Sequence, residues 1–178
     1  MKTLYIERST GNCRTGDWVQ GLDLSERPSR IVVGTGPGSF AGIRSALSFA
    51  QGYAIGSGCE VLGLPSACAL AEAGANLAVV GDARRGKFWV ALFEGFRLVR
   101  DVFQVDGLEA LRASIPVGFR VQTTDADRIG AELAQAFGPR YEGGRLPTAE
   151  GLRRFAEAKP SILKPEPLPI YLNPAVRD

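Results

Sequence analysis

The sequence of 178 residues contains no histidine. Ser-His and Cys-His catalytic pairs and His-based metal sites are therefore excluded within it. The three cysteines, Cys13, Cys59 and Cys68, are widely spaced and odd in number, which excludes a CxxC pair and disfavours a disulfide framework. No serine lies in a GxSxG motif. We predict no catalytic residue, no metal site and no cofactor, and expect no catalytic activity from this chain alone.

Long hydrophobic runs and an excess of one charge are also missing. The formal net charge is +2, and hydrophobic residues make up 45% of the sequence. No apolar run reaches membrane-spanning length, and the N-terminus lacks a secretory pattern. The basic residues form no concentrated face of the kind that binds nucleic acid. These features predict a globular cytoplasmic protein without a membrane segment.

The most informative stretch present is the glycine-rich segment GTGPGSFAGIR, residues 34–44. It follows the apolar run 31–33 and leads into a helical pattern. Glycines allow positive φ angles, and a strand–turn–helix junction can direct backbone N–H groups at an anion. Gly36, Gly38 and Ser39 are therefore predicted as a phosphate-binding loop, although an ordinary turn uses the same residues.

The segment 41–55 predicts an amphipathic helix with a wide apolar face. At 100° per residue, small and apolar residues fill an arc of about 160°, whereas about 100° suffices for packing on one sheet. The extra width predicts a second apolar neighbour, either another helix of this chain or a different polypeptide. In the second case the residues of the partner interface would be Phe40, Gly42, Ile43, Ala46, Leu47, Phe49, Ala50 and Tyr53.

The remaining periodicity indicates an α/β chain with antiparallel hairpins. Strands are expected at 2–7, 30–34, 60–64, 77–81, 87–93, 96–105 and 119–123, with a hairpin arm at 13–21. Further helices are expected at 66–73, 108–113, 127–137 and 148–158. The proline-rich tail 160–174 predicts an extended strap. We expect two small lobes, 1–95 and 96–178, with the tail packing back on the first.

Two nucleotide-binding patterns nearly match. Residues 81–88 approach the P-loop pattern GxxxxGK[ST], but Phe88 replaces the hydroxyl residue and the flanks predict strand–turn–strand. Residues 34–39 fail the GxGxxG pattern because Ser39 occupies its sixth position. Neither a Walker motif nor a dinucleotide site is predicted.

Four stretches together resemble the TsaB family, also called YeaZ. GPGSFAGIR (36–44) is similar to the family signature GPGSFTGIR, and DARRG (82–86) is similar to its DARRGE segment. The opening strand at 4–10 and the tail PIYL (169–172) match in order. The resemblance implies an actin-like, sugar-kinase-like (ASKHA) ATPase fold in reduced form, with mixed sheets and helices.

The resemblance also implies a function. TsaB proteins are non-catalytic partners of TsaD, which makes threonylcarbamoyladenosine in tRNAs that decode codons beginning with adenosine. TsaD carries the active site, the ATPase TsaE joins the complex, and TsaB contacts tRNA only indirectly. The helix at 41–55 would contact TsaD or a second copy of the chain. The alternatives are a degenerate ATP- or phosphate-binding ASKHA enzyme and a stand-alone homodimer.

The chain departs from the family pattern at three places. Glu7 replaces the usual aspartate, and Lys87 stands where an acidic residue is normal. Residues 11–30 are too few for the helix that family members carry there, which packs beside the helix at 41–55. Because no second acid or histidine accompanies Glu7 or Asp82, both are predicted to cap loops.

Overall fold

The computed structural model describes residues 2–10, 19–20 and 27–172. The chain divides into two compact units, of which the first comprises Met1–Ala69 and Pro147–Ile170. The second comprises Leu70–Leu146 with Tyr171 and Leu172. This division differs from the expected one after residue 95, because the strands of residues 76–94 pair with a strand from the second half of the chain.

Within its described residues, unit 1 contains a five-stranded mixed sheet. Its strands are β1 (Thr3–Ile6), β2 (Val19–Gln20), β3 (Arg30–Gly34), β4 (Glu60–Leu64) and β11 (Lys164–Pro165). The order across the sheet is β11-β4-β3-β1-β2, with the three central strands parallel and the edge strands antiparallel to their neighbours. The register aligns Ile6 with Val33, and Val33 with Gly63.

The described residues of unit 1 form two α-helices, α1 (Phe40–Ser57) and α4 (Ala149–Ala158). Strand residues alternate between the faces of a sheet. One face packs against α1 through the side chains of Leu4, Ile6, Ile31 and Val33. Tyr5 and Val32, which point to the opposite face, are also buried, and α4 contacts β1 and β3. The helix predicted at 41–55 is therefore confirmed, and Gly58 ends it in the left-handed conformation.

Unit 2 contains a six-stranded sheet. Its strands are β5 (Asn76–Arg84), β6 (Lys87–Glu94), β7 (Arg97–Leu98), β8 (Phe103–Asp106), β9 (Arg120–Thr123) and β10 (Tyr141–Gly144). The order is β10-β9-β5-β6-β7, and β8 also pairs with β6. The helices α2 (Gly107–Ser114) and α3 (Ala126–Phe137) pack on the sheet through a shared core that includes Val80, Val90, Leu111, Val121 and Leu133.

The structure corrects several predictions made from the sequence. The strand expected at 96–105 is two strands, β7 and β8, which pair with different parts of β6. Strand β10 was not predicted, because its sequence YEGG has no alternating apolar pattern. The helix expected at 66–73 is a short 3-10 helix, Ser66–Leu70. Of the hairpin arm expected at 13–21, residues 19 and 20 pair with β1, and residues 13–18 and 21 lie outside the described residues.

The segment that resembles a P-loop lies in the hairpin between β5 and β6, as the sequence predicted. A P-loop requires a following helix, so this segment cannot cradle a phosphate in that manner. Across the part of the chain that the structure describes, no helix combines the length and apolar character needed to span a bilayer.

Candidate functional site

The elbow between β3 and α1, residues 35–39, has a backbone conformation suited to glycine. The φ angles of Gly36 and Gly38 are 92° and 154°, and the Gly36–Pro37 peptide bond is cis. Ser39 ends the elbow as the N-cap of α1, where its Oγ accepts a hydrogen bond from the Gly42 N–H at 3.3 Å. This cap satisfies one N–H at the helix start, where the backbone has no partner of its own.

Residues 7–9, which follow β1, run directly against the elbow. A Cβ on Gly38 would overlap the carbonyl oxygen of Ser9, and a Cβ on Gly42 would overlap that of Arg8. The Ser39 N–H also donates to the Ser9 carbonyl. Close backbone packing therefore accounts for Gly38 and Gly42 without a ligand.

Most hydrogen bonds of the elbow are made within unit 1. The Gly36 N–H donates to the Ser66 Oγ at 3.0 Å, and the Ser66 N–H donates back to the Gly36 carbonyl at 2.8 Å. The Thr35 N–H donates to the Leu64 carbonyl at 2.9 Å. A phosphate is held by N–H groups that point at it, so Gly36 and Ser39 would have to exchange existing bonds for new ones. Phosphate binding at Gly36, Gly38 and Ser39 stays a prediction.

Glu7 lies beneath the elbow and is fully buried. Its Oε1 accepts a hydrogen bond from the Ser9 N–H at 2.6 Å. Burial raises the pKa of Glu7 above its ordinary value of 4.5, because it disfavours the charged carboxylate, and the hydrogen bond from Ser9 opposes this only in part. Burial likewise raises the pKa of the Cys68 thiol. In both groups burial therefore disfavours the charged form.

Asp82, the other carboxylate considered from the sequence, lies in unit 2. Its Oδ1 accepts a hydrogen bond from the Arg84 N–H at 2.7 Å, and its Oδ2 lies 3.4 Å from the Arg128 Nη1. The Asp82 N–H donates to the Asp125 Oδ2 at 3.0 Å. Asp82 therefore caps the end of β5, as Glu7 caps the end of β1, in the role the sequence predicted. Among the described residues, no group of three potential ligands is placed to hold a metal ion.

Helix α1 divides the predicted partner interface between two environments. Ile43, Ala46, Leu47 and Ala50 are buried against the sheet of unit 1, and Tyr53 packs partly against the same core. The prediction that the four buried side chains face a partner is corrected, because a partner would reach them only if the helix left its own sheet; for Tyr53 it stays a prediction. Gly42 packs closely against the carbonyl oxygen of Arg8, so it is also in contact with its own unit.

The exposed face of α1 is the polar side of the predicted helix, and Phe40 and Phe49 of the predicted interface remain exposed at its edges. Small residues run along its middle, Ala41, Ser45, Ser48 and Gly52. Phe49 lies on one flank and Ile55 on the other, 43% and 89% exposed, while Phe40 is 56% exposed at the helix start. A Cβ on Gly52 or Gly56 would meet nothing within 4 Å. The four-residue spacing of Ser48, Gly52 and Gly56 was the signal in the sequence that could have identified this face.

The arrangement defines a class of protein: a two-unit α/β fold of the actin-like type, in which a glycine-rich turn leads into a largely uncharged helix. Two solved structures from Pseudomonas aeruginosa share this fold. One, an uncharacterized protein with similarity to peptidase YEAZ, superposes with a TM-score of 0.67 at 18% identity, covering 96% of this chain and 99% of its own. The other, YeaZ, superposes with a TM-score of 0.66 at 20% identity and the same coverage.

Residues 21–111 match the family model described as TsaD, tRNA N6-adenosine threonylcarbamoyltransferase. Because this match spans half of the sequence, the chain belongs to that family. No curated protein matches the chain. The resemblance predicted from four stretches of the sequence and the ASKHA-type fold that it implies are thereby confirmed, and family membership supports a role in the tRNA threonylcarbamoyladenosine pathway.

Proposed function

We propose that this chain is a non-catalytic subunit of the cytoplasmic complex that makes threonylcarbamoyladenosine in tRNAs decoding codons beginning with adenosine. It binds the TsaD subunit through the exposed face of α1 and stabilises it. TsaE joins the larger complex, and tRNA contacts this chain only indirectly. The observation that carries the proposal is the exposed face of α1.

That face has the properties of a helix-packing surface. Its middle consists of small residues, so that a second helix can approach the backbone closely. Phe49 and Ile55 border it and are exposed although both are large and apolar. Large apolar side chains left exposed on both flanks of one helix face are consistent with a protein interaction site. The sheet-facing side of the same helix holds it rigidly, which lowers the entropy lost on binding.

The chemistry of the described residues favours a partner over an enzyme. The two carboxylates at strand ends, Glu7 and Asp82, both bond backbone N–H groups. The buried Cys68 thiol has a raised pKa, which disfavours the thiolate that a nucleophile requires. With no histidine in the sequence, a serine or cysteine lacks its usual general base.

Complex formation with purified TsaD from the same organism tests the proposal. Size-exclusion chromatography with light scattering should show a complex with the wild-type chain. Phe49→Asp should weaken it by about 30-fold or more, since a charge replaces an apolar anchor. Val117→Asp is the control, because Val117 is 97% exposed in unit 2, and it should leave binding within about twofold. Absence of a wild-type complex, or equal effects of both variants, contradicts the proposal.

The two alternative functions are separated with the same preparations. Calorimetry with ATP and Mg²⁺ on the isolated chain should show no binding if the chain is a partner subunit, and micromolar binding with turnover would favour a degenerate ATP-binding enzyme. A dimer that persists when TsaD is added in excess would favour the stand-alone homodimer. Neither result is expected, because the Gly36 and Ser39 N–H groups are already bonded and the face of α1 suits a different helix.

A further inference from the structure

Helix α1 is nearly free of charge. Among its 18 residues, Arg44 is the one charged side chain, and none is acidic. Arg44 is exposed, and its guanidinium lies 4.9 Å from the centroid of the Phe40 ring. In the described parts of the chain, no carboxylate forms an ion pair with Arg44. The aromatic ring holds the guanidinium in place, while its hydrogen-bond donors have no acidic partner.

The position of Arg44 along the helix is electrostatically unfavourable. It lies in the second turn, close to the N-terminal end, where the aligned peptide dipoles carry a partial positive charge. A second guanidinium, that of Arg8, donates to the Ser45 hydroxyl at 3.3 Å on the next residue. Neither an acidic residue in the first turn nor one elsewhere in α1 balances this charge. Arg44 therefore makes the N-terminal half of α1 positive, and an incoming carboxylate would be attracted to it.

We propose that the occupant of this face is a different protein, whose helix covers Phe49 and Ile55 and places a carboxylate against Arg44. This inference rests on the proposed function and specifies its partner chemistry. A guanidinium fixed by a ring presents two parallel N–H donors to a carboxylate, which gives both affinity and orientation. A nucleic acid is disfavoured, because the rest of the face is apolar and offers few cations.

The α1 helix of a second copy of this chain does not supply a carboxylate for Arg44. When α1 packs on α1, each Arg44 faces a helix that contains no acidic residue. The first carboxylate after the helix, Glu60, is already ion-paired with Arg30 at 2.8 Å. Packing of α1 on α1 would thus bring no carboxylate of that helix to either Arg44, whereas a different helix can supply one. The helix-to-helix contact through Arg44 therefore favours a heterologous partner.

The test combines two measurements on Arg44→Glu whose expected directions are opposite. In the isolated chain, glutamate near the helix N-terminus is favoured by the dipole, so the Tm should rise by about 1–3 °C at low salt. In calorimetric titration with purified TsaD, the same variant should bind about 10- to 100-fold more weakly. A variant that merely failed to fold would lower both the Tm and the affinity for TsaD. Arg44→Gln should bind about tenfold more weakly and lose much of the salt dependence of the wild-type affinity.

Arg154→Glu is the matched control, because Arg154 is an exposed arginine on helix α4 of the same unit, and its binding should change less than about twofold. Unchanged TsaD binding by Arg44→Glu overturns the inference while leaving the proposed function intact, whereas absence of wild-type binding overturns both. The inference is also overturned if Arg44→Glu weakens self-association of the chain as strongly as TsaD binding. Binding of bulk tRNA to the isolated chain that Arg44→Glu removes overturns it as well.

Discussion

Glu7 occupies the space that a side chain on Gly34 would fill. A Cβ built on Gly34 would overlap the Glu7 Oε2 and press on the Ser66 hydroxyl. The absence of that Cβ is what admits a carboxylate under the elbow at the end of β1. The length of the glutamate side chain is therefore accommodated by a glycine on the neighbouring strand.

Gly34→Ala is expected to lower the free energy of unfolding by about 1–3 kcal/mol, because the new methyl group overpacks a buried site. Combining it with Glu7→Asp should recover part of that loss, since the shorter side chain leaves room for the methyl. Urea denaturation of the two single variants and the double variant measures the coupling. Gly52→Ala is the control: its Cβ meets nothing, and alanine should stabilise the helix by up to about 1 kcal/mol. Strictly additive losses would contradict the close packing.

Glu7 should make stability fall as the pH rises. Its folded-state pKa is raised above 4.5, so the folded chain binds more protons than the unfolded chain between 4.5 and the raised value. Stability is therefore lost as pH increases through that window. Glu7→Gln keeps an oxygen acceptor for the Ser9 N–H and removes the ionisation, so it should be more stable than wild type at neutral pH. Thermal unfolding from pH 4 to pH 8 measures the difference.

Glu132→Gln is the control for that series, because Glu132 is exposed. Its difference in Tm from the wild type should not change with pH in the way expected for Glu7→Gln. If the wild-type chain instead gained stability over Glu7→Gln as the pH rose, the carboxylate would be ionised in the folded state, and its assigned environment would be wrong.

Glu72 should behave in the opposite way. Its carboxylate accepts hydrogen bonds from Arg120, at 3.0 Å, and from Arg145, which lower its pKa. The ionised form therefore stabilises the fold above the ordinary pKa of 4.5, and this contribution is lost as the pH falls through the lowered value. Because the group is partly exposed, we expect Glu72→Gln to cost about 0.5–1 kcal/mol at pH 7 and progressively less below 4.5. Urea denaturation at several pH values checks this; an undiminished cost at low pH would exclude the ion pairs as its origin.

Charges placed on the two faces of α1 should have different consequences. Ala50→Asp buries an unpaired carboxylate between the helix and its sheet, so it should lower the free energy of unfolding by about 3 kcal/mol or more. Ser48→Asp places the same charge on the exposed face and should change stability by about 0.5 kcal/mol or less. Only Ser48→Asp should therefore yield a folded chain with weakened TsaD binding. Equal unfolding free energies for the two variants would contradict the orientation assigned to the helix.

The periodicity of α1 predicts its apolar face but not what covers that face. The apolar arc of α1 was identified correctly, and its excess width indicated a second neighbour. Its centre, the side chains of Ile43, Ala46, Leu47 and Ala50, is covered by the chain's own β1 and β3. The surface left for a partner is the opposite face together with Phe49 at the edge of the arc. A pattern of small and polar residues does not reveal an interface by itself, because solvated helices carry the same residues.

The sequence alone determined the elements whose signals are local. Strands 30–34 and 60–64 have their predicted bounds, and the glycine block 34–44 indicated both the junction and the family. Tertiary structure decided the division into units, the split of residues 96–105 into two strands, the burial of Glu7 and the inward face of α1. These depend on pairing and packing between residues distant in sequence, and periodicity reports only which side of an element is apolar, not what covers it.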